Sequence, residues 1–370
     1  LSKVLLTNPD ATCTDGTQAG YYWKPATTNP RLWVVYLEGG GWCWDESSCG
    51  DRCGTPSNPN TDSSLCSSAK WGDEIAVDGL FWPTSPDLAD VQGANKVYVR
   101  YCTSDGHMGN ASAWGWNFRG GVVVEAVLQD LMDQHGLGQG GVEDTLLFGG
   151  GSAGARGAMV HLDYLPAMLG KAAAHVTLRG FLDSPLWIDM APFPGVDFPG
   201  LPFTTQSVYK NFNVSHVDSM CAAANPDAVW KCLFGEYRMM FVQTPYLLVA
   251  SQADAFQLGT NVGHKPSTSA EVQYALEFAN RTRATVATIM AHYVPMNNVH
   301  AAVLSWSCYN HDIDCSTGFN TVFADTPAGN VTMSDAMAMF LSQDLAGGDT
   351  FEDSCTGFAC GLGCNPMTFA

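Results

Sequence analysis

The feature that most constrains the fold is a set of short apolar runs separated by segments with helical spacing. Five runs are rich in β-branched and aromatic residues: RLWVVYL (31–37), KVYVRY (96–101), DTLLFGG (144–150), HVTLRGFL (175–182) and PYLLVAS (245–251). Most of them are continuously apolar rather than alternating. Such runs are typical of strands covered on both faces, as in a parallel sheet.

Helical patterns lie between these runs. Apolar residues recur at helical spacing in 119–134 and 153–169, and a capped helix is predicted over 268–282. Strands alternating with helices predict an α/β fold with a mostly parallel central sheet flanked by helices. We expect one domain over 1–370. Segments rich in Gly, Pro, Cys, Asp and Asn are expected to be insertions on it, near 40–75, 185–240 and 305–330.

Composition restricts the partners and the compartment. The net charge is −19, which disfavours binding to nucleic acid or anionic lipid. No apolar stretch approaches the roughly 18 residues of a membrane span. The 13 cysteines cluster in polar loops, which predicts disulfide-stapled insertions and a secreted protein rather than a zinc site. Sequons agree with secretion, at Asn110, Asn213, Asn280 and Asn330.

Ser152 is the candidate nucleophile. It lies in Gly150-Gly151-Ser152-Ala153-Gly154, which fits G-x-S-x-G between a predicted strand and a predicted helix. That context is the one a nucleophile elbow requires, with small neighbours so that strand and helix can pack against the turn. The amide of Ala153, at the helix N-terminus, is a candidate donor to an oxyanion. A phosphate loop is the alternative, but the lysine of that motif is missing.

A second glycine-rich turn supplies the other half of an oxyanion hole. The run 31–37 leads into Gly39-Gly40-Gly41, which is similar to the HGGG-type motif of esterases. Backbone amides of glycines can approach a carbonyl oxygen closely. We assign the second donor to the amide of Gly40 or Gly41.

A serine nucleophile requires a histidine base and a carboxylate that orients it. Asp254 follows the run 245–251, whereas Asp183, at the end of the preceding strand, is the rival; order and spacing favour Asp254. Spacing does not choose the base among the histidines that follow the fifth run, which are His264, His292, His300 and His311.

The same residues carry a family resemblance over about residues 30 to 365. The matching stretches are YLEGGGWCW, VYVRYCTSDG, NFRGGVVVEAVLQDLM, GGGSAGARGAMVHLD, GFLDSPLWI, WKCLFGEY, SQADAFQLG and CTGFACGLGCNP. Together they resemble the family of pectin acetylesterases and Notum carboxylesterases.

The resemblance implies an α/β-hydrolase fold and a Ser-His-Asp esterase without metal or cofactor. By position it implies Ser152 as nucleophile, Asp254 as acid and His300 as base. Trp42 matches a position lining the acyl or sugar pocket, and Cys43–Cys49 resembles the short disulfide behind the oxyanion loop.

The chain also departs from the family pattern. Ala301 or Ala302 stands where plant members have a cysteine, and Arg156 replaces a small residue just after the elbow. These departures bear on the substrate more than on the reaction. We expect a monomeric esterase that removes O-acetyl groups from a cell-wall polysaccharide such as pectin. Cleavage of a longer fatty-acyl ester, and a non-catalytic glycan-binding protein on the same fold, are the alternatives.

Overall fold

The computed structural model describes residues 1–293, 301–342 and 349–364, and strands alternate with helices in these ranges. The strands are β1 (Ser2–Leu5), β2 (Gly20–Lys24), β3 (Asn29–Leu37), β4 (Gly54–Thr55), β5 (Asn58–Pro59), β6 (Ala94–Val99), β7 (Ala111–Ala113), β8 (Trp116–Phe118), β9 (Asp144–Gly151), β10 (Val176–Asp183), β11 (Tyr246–Ser251), β12 (Ala301–Trp306), β13 (Phe323–Thr326), β14 (Gly329–Thr332) and β15 (Asp349–Glu352).

The α-helices are α1 (Glu46–Cys53), α2 (Ala89–Gln92), α3 (Gly120–Asp130), α4 (Ala153–His161), α5 (Leu165–Leu169), α6 (Leu201–Asn211), α7 (Ser219–Ala224), α8 (Gly235–Arg238), α9 (Ala255–Val262), α10 (Ser269–Tyr293), α11 (Gly318–Thr321) and α12 (Met333–Ser342). Short 3₁₀ segments are Gly79–Phe81, Pro86–Leu88, Leu162–Tyr164, Gly170–His175, Val229–Leu233 and Met239–Phe241, and Leu131–His135 forms a π-helical turn.

The apolar runs form strands as predicted, and the interiors of those strands are buried. The five predicted runs coincide with β3, β6, β9, β10 and β11 to within two residues at each end. β12 is not among the predicted strands, although all six of its residues are buried. Its sequence, AAVLSW, is apolar and short, so periodicity alone does not separate it from a buried helical segment.

The predicted helices differ from the observed ones at their ends. The pattern over 153–169 is one helix in the prediction but is interrupted after α4 by a 3₁₀ segment, and α5 resumes with Pro166 in its first turn. Proline suits a first turn and disrupts a helix interior, so it resets the helix there. The helix predicted over 268–282 runs on to Tyr293 as α10.

The chain folds into two compact units. The first comprises Leu1–Ala76, Gly93–Phe181 and Thr204–Leu233. Its sheet has the strand order β1-β2-β6-β3-β9-β10, with β10 lying mostly in this unit. β3 pairs with β6 and β9 in parallel, whereas β1 and β2 form an antiparallel edge. The parallel pairing confirms the sequence prediction, and it brings the carboxyl ends of β3 and β9 to one edge.

The second unit comprises Val77–Gln92, Leu182–Phe203 and Phe234–Ala370. Its strand order is β11-β12-β15, and both pairs are parallel. The predicted insertion near 305–330 carries α11 and most of the β13–β14 hairpin, whereas the residues of the insertion near 185–240 are divided between the two units and include α6, α7 and α8. The single domain over 1–370 stays a prediction.

Disulfides staple the loops in both units. The pairs are Cys13–Cys102, Cys43–Cys49, Cys53–Cys66, Cys221–Cys232, Cys308–Cys364 and Cys355–Cys360. The predicted Cys43–Cys49 pair is therefore confirmed. Cys315 is half-buried and is not in a disulfide within the described ranges.

Candidate active site

Ser152 occupies a strained turn between β9 and α4. Its backbone has φ 54° and ψ −121°, a combination that L-residues rarely adopt and that costs on the order of 1–3 kcal/mol. The side chain and backbone together are only 5% exposed. A serine in this conformation between a buried strand and a helix has the geometry of a nucleophile elbow.

The glycines around Ser152 are required by the close approach of β3. A Cβ on Gly150 would lie 2.5 Å from the carbonyl oxygen of Leu37, and one on Gly154 would overlap the same oxygen. Leu37 is the last residue of β3, so the turn at Ser152 packs directly against the end of that strand. The lack of side-chain bulk in this stretch is therefore a packing requirement.

The glycine loop after β3 is held by its carbonyl groups. Arg52 Nη2 donates to the carbonyl of Gly40 at 2.5 Å, and the Tyr101 hydroxyl donates to that of Gly41 at 2.7 Å. Both glycines have positive φ, 137° and 64°. Because the carbonyls are held, the orientation of the adjoining peptide N–H groups is fixed as well, which is what preorganised oxyanion donors require.

Tyr101 is the central support of this loop. Its hydroxyl also accepts from the amide of Gly106 at 2.7 Å, and its ring stacks on His107 with centroids 4.6 Å apart. Burial raises the pKa of Tyr101. The hydroxyl therefore stays protonated and continues to donate to Gly41. Neither Tyr101 nor Arg52 belongs to the glycine motif, so no local sequence pattern marks them as its supports.

Replacing Tyr101 by Phe is expected to lower kcat for ester cleavage by about ten- to a hundredfold, because the part-buried carbonyl of Gly41 and the buried amide of Gly106 lose their partner. Steady-state kinetics on p-nitrophenyl acetate measure this. Tyr22→Phe is the matched control, since its hydroxyl donates to the carbonyl of Gly72 at 2.7 Å. An equal loss in both variants would contradict a role for Tyr101 in the glycine loop.

The buried Asp254 pairs with the partly exposed His311 in the second unit. Asp254 caps α9: its Oδ1 accepts from the amide of Gln257 at 2.8 Å, while its Oδ2 lies 2.7 Å from Nδ1 of His311. A carboxylate at that distance places the ring proton on Nδ1. Nε2 of the neutral ring is then left as a proton acceptor.

A disulfide, hydrogen bonds and a ring contact hold the loop that carries His311 in place. Cys308 is bonded to Cys364, and its carbonyl accepts from the Ser251 hydroxyl at 2.6 Å. The carbonyl of Asn310 accepts from the amide of Ala255, at the start of α9. The imidazole stacks on Phe256, with ring centroids 5.2 Å apart. The ring is thus held in one orientation against Asp254.

Asp183, the rival acid, contacts the same loop differently. Its Oδ2 accepts from the amides of Ile313 at 2.8 Å and Asp314 at 3.2 Å, and its Oδ1 accepts from the Ser184 hydroxyl at 3.0 Å. It therefore anchors the backbone that follows His311. His300, which the family resemblance favours as the base, lies outside the described residues. His311 is one of the histidines among which spacing does not choose.

The charges around His311 determine its pKa. Burial lowers the pKa of the His311 imidazole, whereas the negative charges of Asp254 and Asp312 both raise it. The hydrogen bond to Asp254 and the charge of Asp183 contribute further, and the net result raises the pKa of His311 to about 9.

Trp42, the predicted substrate-binding residue, directly follows the glycine loop and is 7% exposed. The guanidinium carbon of Arg156 lies 4.2 Å from the centroid of its ring. Ala153, the other predicted oxyanion donor, is the first residue of α4.

Metal clusters and membrane-spanning helices can be judged over the described ranges only. No group of three or more His, Cys, Asp or Glu side chains there is arranged to hold a metal ion. No helix in the same part of the chain combines the length and apolar character needed to cross a membrane.

Known proteins match the chain both in sequence and in structure. A family model described as Pectinacetylesterase matches residues 2–357. The palmitoleoyl-protein carboxylesterase NOTUM of Drosophila melanogaster is 26% identical over 85% of this chain and 46% of its own length. Notum2 of Xenopus laevis is 32% identical over 68% of this chain and 51% of its own. Pectin acetylesterase 7 of Arabidopsis thaliana is 28% identical over 67% of this chain and 60% of its own.

This chain thus spans about half the length of the first two relatives and somewhat more of the third. Among solved structures, the Wnt deacylase Notum from Drosophila superposes with a TM-score of 0.84 at 23% identity, covering 99% of each chain. That likeness confirms the predicted α/β-hydrolase fold with its mostly parallel sheet.

Proposed function

Since this chain belongs to the pectinacetylesterase family, we propose that it is a secreted serine esterase that removes O-acetyl groups from a cell-wall polysaccharide such as pectin. Ser152 is the nucleophile, His311 the base and Asp254 the acid that orients it. The amides of Gly40 or Gly41 and of Ala153 bind the oxyanion.

The observation that carries the proposal is the 2.7 Å pair of Asp254 and His311. The pair leaves Nε2 as the proton acceptor that a serine nucleophile needs. The elbow conformation of Ser152 supports its proposed role as the nucleophile. We propose His311 rather than His300 as the base because His311 makes the hydrogen bond to Asp254.

The reaction follows from these roles. The Ser152 hydroxyl oxygen attacks the ester carbonyl carbon, and Nε2 of His311 takes the hydroxyl proton. The tetrahedral oxyanion accepts hydrogen bonds from the backbone amides. The carbon–oxygen bond to the sugar then breaks, and the imidazolium returns its proton to the leaving alcohol. Water attacks the carbonyl carbon of the acetyl-serine, and His311 takes a proton from the water. The bond between that carbon and the Ser152 oxygen then breaks, the imidazolium returns its proton to the Ser152 oxygen, and acetate is released.

The substrate class rests on family membership and on charge. The relatives include a pectin acetylesterase and palmitoleoyl-protein carboxylesterases, so both acetyl and long-chain esters occur among them. A net charge of −19 disfavours binding to de-esterified polygalacturonate. An esterified pectin or an acetylated neutral polymer such as xylan suits this surface better. The disulfides are typical of an oxidising compartment and support secretion.

Ser152→Ala tests the proposed function. The wild-type protein should release acetate from acetylated pectin and react with a fluorophosphonate probe, and the variant should do neither. A matched control is Ser48→Ala, at a serine that belongs to the cap of α1. If the folded wild-type protein neither reacts with the probe nor releases acetate, the result would instead favour a non-catalytic glycan-binding protein.

The pKa of His311 predicts an alkaline pH dependence. His311 acts as a base only when it is neutral, so kcat/KM should rise as the pH passes the pKa of His311. That pKa lies above the usual imidazole value of about 6.5. Asp312→Asn removes one of the negative charges that raise it and should move this acid limb to lower pH. A pH profile of kcat/KM on p-nitrophenyl acetate measures both. A limb centred below pH 6.5 in wild type would contradict the prediction.

A further inference from the structure

A fully buried cation lies one helical turn beyond Ser152. Arg156 is 0% exposed, and its backbone amide donates to the carbonyl of Ser152 at 3.1 Å. Its Nη2 donates to the carbonyl of Leu233, at the end of the 3₁₀ segment Val229–Leu233 that Cys221–Cys232 staples. Burying a charge is costly, so these contacts mark a site at which the cation is held in place.

This cation also contacts Trp42. The guanidinium carbon lies 4.2 Å from the ring centroid, within the distance of a strong cation–π pair. Gly106 packs against the same indole, because a Cβ there would come within 3.2 Å of the Trp42 ring. A Cβ on Gly157 would in turn lie 2.5 Å from the carbonyl oxygen of Gly106, so α4 and this loop are in direct contact.

The indole of Trp42 is therefore fixed. It cannot rotate away from Arg156 without uncovering a buried guanidinium and breaking the cation–π pair, which is worth more in a desolvated site than at the surface. Gly106 limits its movement further. The contact between Arg156 and Trp42 thus joins α4 to the residue that follows the glycine loop.

We propose that Arg156 is a positioning residue that holds Trp42 as a wall on the acyl side of the ester and so restricts the enzyme to short acyl groups. The inference rests on the proposed function. Trp42 directly follows Gly40 and Gly41, and the carbonyl carbon whose oxygen binds there also bears the acyl chain. An acetyl group ends before such a wall. A longer chain has to displace the indole and then lies against a buried cation.

The test compares p-nitrophenyl acetate with p-nitrophenyl octanoate in wild type, Arg156→Met and Arg156→Lys. Met keeps most of the side-chain volume but lacks the charge. It should lower the acetate-to-octanoate ratio of kcat/KM by about tenfold or more, chiefly through a lower KM for octanoate. Lys retains a cation and should keep the ratio within about threefold of wild type. Arg31→Met is the control and should leave the ratio unchanged, because it removes the contact of the half-exposed Arg31 of β3 to Asp144, the buried first residue of β9.

If Arg156→Met does not fold, Trp42→Ala gives the same test, since removing the wall should also shift the ratio toward octanoate. A ratio that stays at the wild-type value in every active variant would overturn the role of Arg156. So would a change in preference for the alcohol part alone. These outcomes differ from failure of the proposed function, in which the wild-type protein would cleave neither ester and would not react with the fluorophosphonate.

Discussion

Replacing His311 by Ala is expected to lower kcat for ester cleavage by a factor on the order of 10⁴ to 10⁶, as removal of the base does in serine hydrolases. Without the imidazole, no group paired to Asp254 takes the proton of Ser152 or returns it to the leaving alcohol. Binding and the oxyanion donors remain, so a residual rate above the uncatalysed one should persist. Single-turnover and steady-state assays on p-nitrophenyl acetate measure the loss.

Two other histidines make this experiment decisive. His300→Ala tests the base implied by the family resemblance and should keep most of the activity if His311 is the base. His264→Ala is the matched control, because that side chain is 58% exposed beside Glu271. Full activity in His311→Ala together with inactivity in His300→Ala would refute the assignment of His311 and favour the sequence-based one.

Replacing Asp254 by Asn should lower kcat by a factor on the order of 10³ to 10⁴, with little change in the fold. The amide keeps the shape, and its oxygen can still accept from the amide of Gln257. Its NH₂ group then faces Nδ1 of His311, which favours the tautomer with the proton on Nε2. That tautomer cannot accept the proton of Ser152. Kinetics at several pH values, with circular dichroism to verify the fold, test this expectation.

Asp183→Asn is the matched comparison, because Asp183 is also buried and ends β10 as the rival acid. Its contacts are to the backbone amides of Ile313 and Asp314. The variant should lose thermal stability while kcat falls by less than about tenfold. If Asp183→Asn were the more damaging change to kcat with its stability intact, the acid would have to be reassigned.

The family and the core of the fold could be predicted from the sequence. Five apolar runs coincide with β3, β6, β9, β10 and β11, because a strand buried on both faces needs a continuous apolar run that local sequence displays. The motifs around Gly40 and Ser152 carry the resemblance to the esterase family, which the match to its model confirms. Helix ends are less predictable, as at Pro166, where a local proline overrides the apolar spacing.

The sequence by itself also determined that Ser152 would stand on a tight turn among small residues, because the residues that impose that turn are its immediate neighbours. Only the tertiary structure decided that His311 is the histidine against Asp254, and that Arg156 lies over Trp42. These pairs join residues 57 and more than a hundred positions apart. Their contacts depend on where disulfides, caps and loop hydrogen bonds return the chain, which no local pattern of residues specifies.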